Sequence, residues 1–284
     1  MAYCGSVMRI SCSVVCYQNP HAQIAEVLRS VAASSVDVAI YLIDNSPQDR
    51  LAAVAREFGA SYIHLPDNPG FGAAHNVAIR DVLAKGAVYH LVLNPDIHFS
   101  ADVIPTLLAY MEQHQAVGLV VPGVHYPDGR QQHLCKLLPG PIDLLMRRFW
   151  PALYRTSGRL AEYELHASGY DKIMDVPALS GCFMLIRAAI LGDIGGFDER
   201  YFMYLEDVDL SRRIGQVART VYFPYVTIVH DYGKGSYRNL KLLSYHVRSA
   251  IKYFNKWGWF LDAERDVINK TALEKILSVD KTLK

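Results

Sequence analysis

Apolar and polar positions along this chain switch between a strand-like and a helical period in a regular alternation. Residues 8–17 (MRISCSVVCY) are β-branched and apolar enough for a buried strand, and after them Ile24, Val27, Leu28 and Val31 recur at i, i+3, i+4, i+7. The pattern repeats with a strand at 38–44, a helix whose buried stripe is Leu51, Val54, Ala55 and Phe58, and a strand at 61–65. A helix then runs from the Asn68-Pro69-Gly70-Phe71-Gly72 turn to Lys85, and a buried strand covers 88–93. Asn19-Pro20 and Ser46-Pro47 read as N-caps followed by a proline at the first helical position. Such alternation predicts an α/β fold, a Rossmann-like domain whose mostly parallel central sheet is covered by helices.

The rhythm loosens beyond residue 99. A helix is expected at about 101–114, a strand at 117–121 and a turn at Tyr126-Pro127-Asp128-Gly129-Arg130. Residues 139–170 show no clear period and carry Arg147, Arg148, Arg155 and Arg159 among aromatics. They read either as a mobile loop over an anionic acceptor or as a solvated insertion. Strands follow at 181–187, 220–223 and 226–229. Residues 238–257 read as one amphipathic helix, with Leu243, Val247, Ala250, Phe254 and Trp257 on one face and Arg238, Lys241, Arg248, Lys252 and Lys256 opposite. This helix either packs on the domain or lies against anionic lipid. The expected organisation is a domain over 1–237, with halves 1–96 and 97–237, and a helical C-terminal segment over 238–284.

Composition narrows the classes. With 284 residues, 51% of them hydrophobic, the chain can bury a full core, and a net charge of +1 gives no global footprint for nucleic acid. Five cysteines without C-x-x-C spacing indicate neither a disulfide framework nor a structural zinc site and fit a reducing compartment. The sequence shows no signal-peptide pattern and no apolar run of about 18 residues. A cytoplasmic protein is expected, with peripheral contact at the inner face of the membrane if the helix at 238–257 meets lipid.

The candidate chemistry collects at predicted strand ends, where open α/β sheets bind ligands. Asp44 ends the second strand, Asn94-Pro95-Asp96 follows the fourth, and His230 ends the last, before Asp231-Tyr232-Gly233-Lys234-Gly235-Ser236. Residues 195–210 place five carboxylates and four aromatics between a strand and a helix. The acids alone could be ordinary helix capping, but interleaved with Phe197, Tyr201, Phe202 and Tyr204 they suit a sugar ring.

Taken in order, Asp44-Asn45-Ser46, Asn68-Pro69-Gly70-Phe71-Gly72 with Asn76, Asn94-Pro95-Asp96, Ser180-Gly181-Cys182-Phe183-Met184, Gly196-Phe197-Asp198-Glu199 with Phe202, Glu206-Asp207-Val208-Asp209-Leu210, and His230 with Gly233 and Ser236 resemble an inverting family 2 glycosyltransferase of GT-A fold, rhamnosyltransferases in particular. The resemblance implies that Asp44 meets a nucleobase beside Cys16 and Tyr17, and that Asn68, Gly70, Gly72, Asn76, Asn94 and Lys234 contact the rest of a nucleotide-sugar. It implies Asp96 and His230 as ligands of Mg²⁺ or Mn²⁺, with Asn94 where the family carries the first acid of Asp-x-Asp. Asp207 is the implied general base and Glu206, Phe202 and Tyr204 the acceptor contacts, while Asp209 anchors structure through Arg212 or Arg213. The implied reaction moves L-rhamnose from dTDP-L-rhamnose to a glycan or lipid-linked saccharide. A UDP-hexose donor and a catalytically silent nucleotide- or glycan-binding module stay open. A nucleotidylyltransferase is disfavoured, because the Gly-rich loop with Arg and Lys expected after its first strand is missing.

Overall fold

The computed structural model describes residues 9–231 and 240–281. Its elements are β1 (Ile10–Cys16), α1 (His21–Ala32), β2 (Ala39–Asp44), α2 (Ala52–Glu57), β3 (Ser61–His64), α3 (Phe71–Ala84), β4 (Tyr89–Leu93), β5 (Ile97–Phe99), α4 (Val103–Gln113), β6 (Val117–His125), α5 (Pro141–Phe149), α6 (Pro151–Thr156) and α7 (Arg159–Tyr163). These are followed by β7 (Met174–Asp175), β8 (Phe183–Arg187), α8 (Ala188–Ile194), α9 (Glu206–Gly215), β9 (Arg219–His230), α10 (Leu240–Trp257) and α11 (Ala263–Lys281).

One sheet of order β3-β2-β1-β4-β8-β6-β9-β5 forms the centre, with β7 paired to β9. Strands β1, β2, β3, β4, β6 and β9 run one way, and β5, β7 and β8 run against them. The sheet is therefore mostly parallel, and its faces are covered as such a sheet requires. Apolar residues of α1, α2 and α4, such as Leu28, Val54 and Leu107, pack with Cys12 and Val14 on one face. On the other, α3 lies over β1 and β2 through Ala74, Ala78 and Val82, while Leu191 of α8 and Leu210 and Ile214 of α9 join the cluster around Ile186. A polar thread runs through this second face. Ser13 Oγ faces His75 Nδ1 at 2.6 Å and His90 Nε2 at 2.8 Å, and Ser11 Oγ faces His90 Nδ1 at 2.8 Å. Burial pushes His75 well down and His90 to about 3, so both are neutral hydrogen-bonding partners.

Several local expectations change. Pro20, not Asn19, is the N-cap of α1, because Asn19 Oδ1 accepts from Tyr17 N–H at 2.8 Å. Ser46 caps no helix, since its Oγ accepts from Gln18 N–H at 2.7 Å and α2 begins only at Ala52. Residues 220–223 and 226–229 belong to one long strand, β9, whose register against β6 shifts at Pro122/Gly123, as at a bulge. Residues 139–170 hold three short α-helices and a 3-10 turn at His166–Ser168. The expected boundary at 237/238 falls outside the described residues, but α10 and α11 do share the core, through Tyr253, Phe254 and Ala272. Arg212 of α9 meets Asp262 through two buried bonds of 2.7 and 2.8 Å. Cys12, Cys16, Cys135 and Cys182 are buried free thiols. No helix among the described residues is long and apolar enough to cross a membrane.

Candidate active site

The carboxyl ends of β1, β2, β4 and β9 and the amino end of β8 converge on one edge of the sheet. Two cavities open there, of about 540 and 270 Å³. Cys16, Tyr17, Asn45, Asn68, Gly70, Asp96, Phe202 and Tyr245 line the larger; Lys136, Leu144, Arg147, Arg148, His230 and His246 line the smaller. Asn94, Ser180, Tyr204, Glu206 and Asp207 belong to both. The acidic pair is thus the wall between two chambers.

That wall is built by strain and packing. Tyr204 and Leu205 precede α9 with φ of 71° and 65°, a conformation that costs a non-glycine residue about 1 kcal/mol or more. Leu205 is held there by burial against Leu138, Tyr201, Val208 and Tyr253. The chain so turned starts α9 with its carboxylates at the sheet edge. Asp207 Oδ2 accepts from Gly181 N–H at 3.0 Å and Oδ1 from Val208 N–H at 2.9 Å. A Cβ at position 181 would lie 3.3 Å from Asp207 Cβ, so the close approach depends on glycine. Glu206 is 6% exposed, and its Oε2 has no hydrogen-bond partner among the described residues. Burial first, and then the Asp207 charge, push Glu206 well above the ordinary carboxyl range. Burial therefore favours the protonated form of Glu206, which can donate.

The other acids of this run hold the frame. Asp209 is fully buried and accepts from Arg213 Nε (2.7 Å), Lys256 Nζ (2.6 Å) and Trp257 Nε1 (2.8 Å). Arg213 is thus its arginine partner, while Arg212 turns to Asp262. Asp198 pairs with Arg200 and with Lys256 Nζ at 2.9 Å, and Glu199 accepts from Asn76 and Arg80.

Asp96 and His230 meet across the ends of β4 and β9. Gln132 Nε2 donates to His230 O at 2.8 Å, which turns its Oε1 toward His230 Nδ1 at 3.1 Å. Nδ1 must then carry the proton, and in the neutral ring Nε2 presents its lone pair 3.4 Å from Asp96 Oδ1. Asp96 Oδ1 has no hydrogen-bond partner among the described residues. An imidazole nitrogen and a carboxylate oxygen so placed fit as two ligands of a divalent cation, with Gln132 fixing the tautomer from behind. His133, Glu164 and His166 also bring ligand atoms within 4.8 Å of one another, but they line neither chamber. There the imidazoles are tilted against each other with centroids 4.0 Å apart and His166 Nε2 meets Glu164 at 3.2 Å, a packed contact.

Some residues expected at the nucleotide stand elsewhere. Asp44 is fully buried, accepting from Ser46 N–H (2.9 Å) and Tyr62 Oη–H (3.0 Å), and lines neither chamber. Its neighbour Asn45 faces the larger chamber, its Oδ1 having no hydrogen-bond partner among the described residues. Asn76 is occupied by Phe197, accepting from its N–H at 2.9 Å and donating to its carbonyl at 2.8 Å. Gly72 abuts the Phe197 side chain, and Gly70, at φ 101°, leaves room for the Phe202 backbone. These glycines seat α3 on residues 197–202, although Gly70 also lines the chamber. Phe202, expected at the acceptor, lines the larger chamber beside Tyr245, 4.4 Å between centroids; Tyr204 lines both. Lys234 lies outside the described residues. Gln132, Lys136, His246 and Tyr245 line or support the chambers without any signal in the sequence that marks them. In the smaller chamber burial, Arg147, Arg148 and Lys136 push His246 to about 4.

Comparison with known proteins supplies the family. The glycosyltransferase-like family 2 matches residues 9–248. An N-acetylglucosaminyl-diphospho-decaprenol L-rhamnosyltransferase of Mycobacterium tuberculosis is 32% identical over 213 residues, 70% of this chain and 68% of that protein. Rhamnosyltransferase WbbL of Escherichia coli K12 is 25% identical over 266 residues, 90% of this chain and 94% of that protein. Among solved structures, residues 1–349 of S. aureus TarS in complex with UDP superpose with a TM-score of 0.60 at 17% identity, covering 95% of this chain and 72% of that one. This chain spans 43% of a longer TarS structure. A mannosyltransferase of Pyrobaculum calidifontis, in complex with GDP-Man and Mn²⁺, gives a TM-score of 0.57 at 16% identity, covering 96% and 76%. These structural likenesses establish the GT-A fold. The chain belongs to glycosyltransferase family 2 and is a glycosyltransferase similar to rhamnosyltransferases.

Proposed function

We propose that this enzyme transfers L-rhamnose from dTDP-L-rhamnose, with inversion, to a hydroxyl of a lipid-linked saccharide used in bacterial surface polysaccharide. The observation that carries the reading is the position of Asp207 in the wall shared by the two chambers. A base there reaches an acceptor hydroxyl on one side and an anomeric carbon on the other. The larger chamber, with Tyr17, Asn45 and Asn68, takes the nucleotide-sugar. The smaller, with Lys136, Arg147 and Arg148, suits an acceptor bearing phosphate, the chemistry named in the M. tuberculosis relative.

In the proposed step Asp207 removes the acceptor hydroxyl proton as that oxygen bonds to the anomeric carbon and the bond to the diphosphate breaks with its electron pair on the leaving group. Neutral Glu206 donates a hydrogen bond to the acceptor sugar and orients it. Asp96 and His230 would hold Mg²⁺ or Mn²⁺, which supplies neutralisation of the charge developing on the diphosphate. An acceptor carried on lipid places the enzyme at the inner face of the cytoplasmic membrane.

Calorimetry of dTDP-L-rhamnose and UDP-hexoses, with and without Mn²⁺ or Mg²⁺, tests the donor and the metal together. The expected result is tighter dTDP-L-rhamnose binding in the presence of metal, with the metal gain lost in Asp96→Asn. Preference for a UDP-hexose overturns the rhamnose assignment, and an undiminished metal gain in the variant overturns the ligand assignment.

A further inference from the structure

Helix α5 has two unlike faces. At 100° per residue Ile142, Leu145 and Phe149 fall within one narrow arc, and they are 49%, 53% and 56% exposed. Trp150 and Leu153, at 57% and 56%, continue the stripe into α6. On the opposite side of the same helix Leu144, Arg147 and Arg148 line the smaller chamber. Between residues 141 and 160 four arginines stand against one aspartate, and Arg155 and Arg159 are exposed in this segment, Arg159 lying 3.8 Å from Asp143. Five large apolar side chains presented outward along two successive short helices and the residue that joins them, in a segment where arginines outnumber acids four to one, have the pattern of an interfacial helix.

We infer that the α5–α6 face is the surface by which this chain docks on an anionic lipid bilayer. Charge complementarity selects the occupant: the arginines meet anionic headgroups while Ile142, Leu145, Phe149 and Leu153 enter the acyl boundary and Trp150 sits at the headgroup level. From sequence, α10 either packs on the domain or lies against lipid by its basic face. The structure uses much of that helix internally, since Tyr253 and Phe254 are buried, Lys256 pairs with Asp198 and Asp209, and Lys252 bonds the Arg200 carbonyl. Docking through α5 also has a consequence for substrate. The helix that would lie on lipid is itself a wall of the smaller chamber, so a saccharide anchored in that bilayer meets the acidic wall without leaving the membrane. This consequence rests on the acceptor reading above; the docking itself does not.

The test is co-sedimentation of the full chain, without sugar substrates, with phosphatidylcholine vesicles and with vesicles of three parts phosphatidylcholine to one part phosphatidylglycerol. Binding to the anionic vesicles is expected, reduced about ten-fold or more in Ile142→Ser/Phe149→Ser/Trp150→Ser and reduced with a weaker salt dependence in Arg155→Glu/Arg159→Glu. All five positions are exposed, so unchanged melting curves are expected for both variants. Phe260→Ser/Leu261→Ser, altering the exposed loop between α10 and α11, should bind as the wild type does. The inference is overturned if the wild type prefers neither vesicle, if the triple variant binds undiminished, or if the Phe260/Leu261 variant loses binding instead. It is equally overturned if the wild type sediments as a dimer that the triple variant dissolves, which would make the face a contact between copies. A wild type that docks but transfers no sugar leaves the inference standing and rejects the proposed function; the reverse result rejects the docking alone.

Discussion

Two adjacent carboxyl groups, Glu206 and Asp207, occupy opposite electrostatic situations. Asp207 receives two backbone N–H bonds, whereas Glu206 is buried with one oxygen unpartnered among the described residues. Because the native pKa of Glu206 lies above its ordinary value of 4.5, the folded state keeps a proton that the unfolded chain has already lost. Its contribution to stability is complete below about pH 4.5 and is lost as pH rises through the native value. Glu206→Gln removes that slope. The variant should match the wild type near pH 4.5 and exceed it at pH 8, by about 1.4 kcal/mol for each unit of upward shift, in denaturant melts run against pH. A variant less stable than the wild type at pH 8 would contradict a neutral Glu206. This division was only partly legible in the sequence, which marked both acids but not which of them burial would favour in its protonated form. The same limit explains Asp44. In a strand successive side chains point to opposite faces, so choosing Asp44 over Asn45 required a register that only the neighbouring strands set.

Helix α9 joins the site to the rest of the molecule. Its first turn carries Glu206 and Asp207, its second face carries Asp209, and Arg212 binds Asp262 with both side chains nearly sealed from water, at 1% and 3% exposure. Arg212 also lies over the Trp257 ring, 4.1 Å from its centroid. Asp262→Ala should destabilise the protein by about 3 kcal/mol in urea unfolding, the lower end for a broken buried pair, because Glu264 stays beside Arg212. Glu199→Gln, at an exposed pair with Arg80, should cost well under 1 kcal/mol beyond its bond to Asn76. Equal losses would show that the α9–α11 clamp is not specially buried. The clamp could not be read from sequence, since α11 has little apolar periodicity and its partner lies 50 residues away. Asp209 could, because an aspartate four residues before an arginine on a helix is a recognised pairing.

At the scale of the whole molecule, the alternation of strands and helices up to residue 93 carried β1 to β4 and the helices between them. Apolar strands between turn residues leave little choice once the connections are short and right-handed. The half beyond residue 99 resisted where its elements are brief: β7 spans two residues, and α5 to α7 are five to nine long. Short elements hold too few turns for a period to emerge. Yet this half supplies Gln132 behind His230, the cations of the smaller chamber and the exposed stripe of α5–α6. Both halves meet at Asp207, and the most direct measurement is therefore sugar transfer by Asp207→Asn beside calorimetric donor binding by the same preparation. Loss of a positioned general base lowers turnover by about 10²–10⁴-fold, and donor affinity should stay within about two-fold of wild type. Turnover at the wild-type rate with intact donor binding would contradict the assignment of Asp207 as the base.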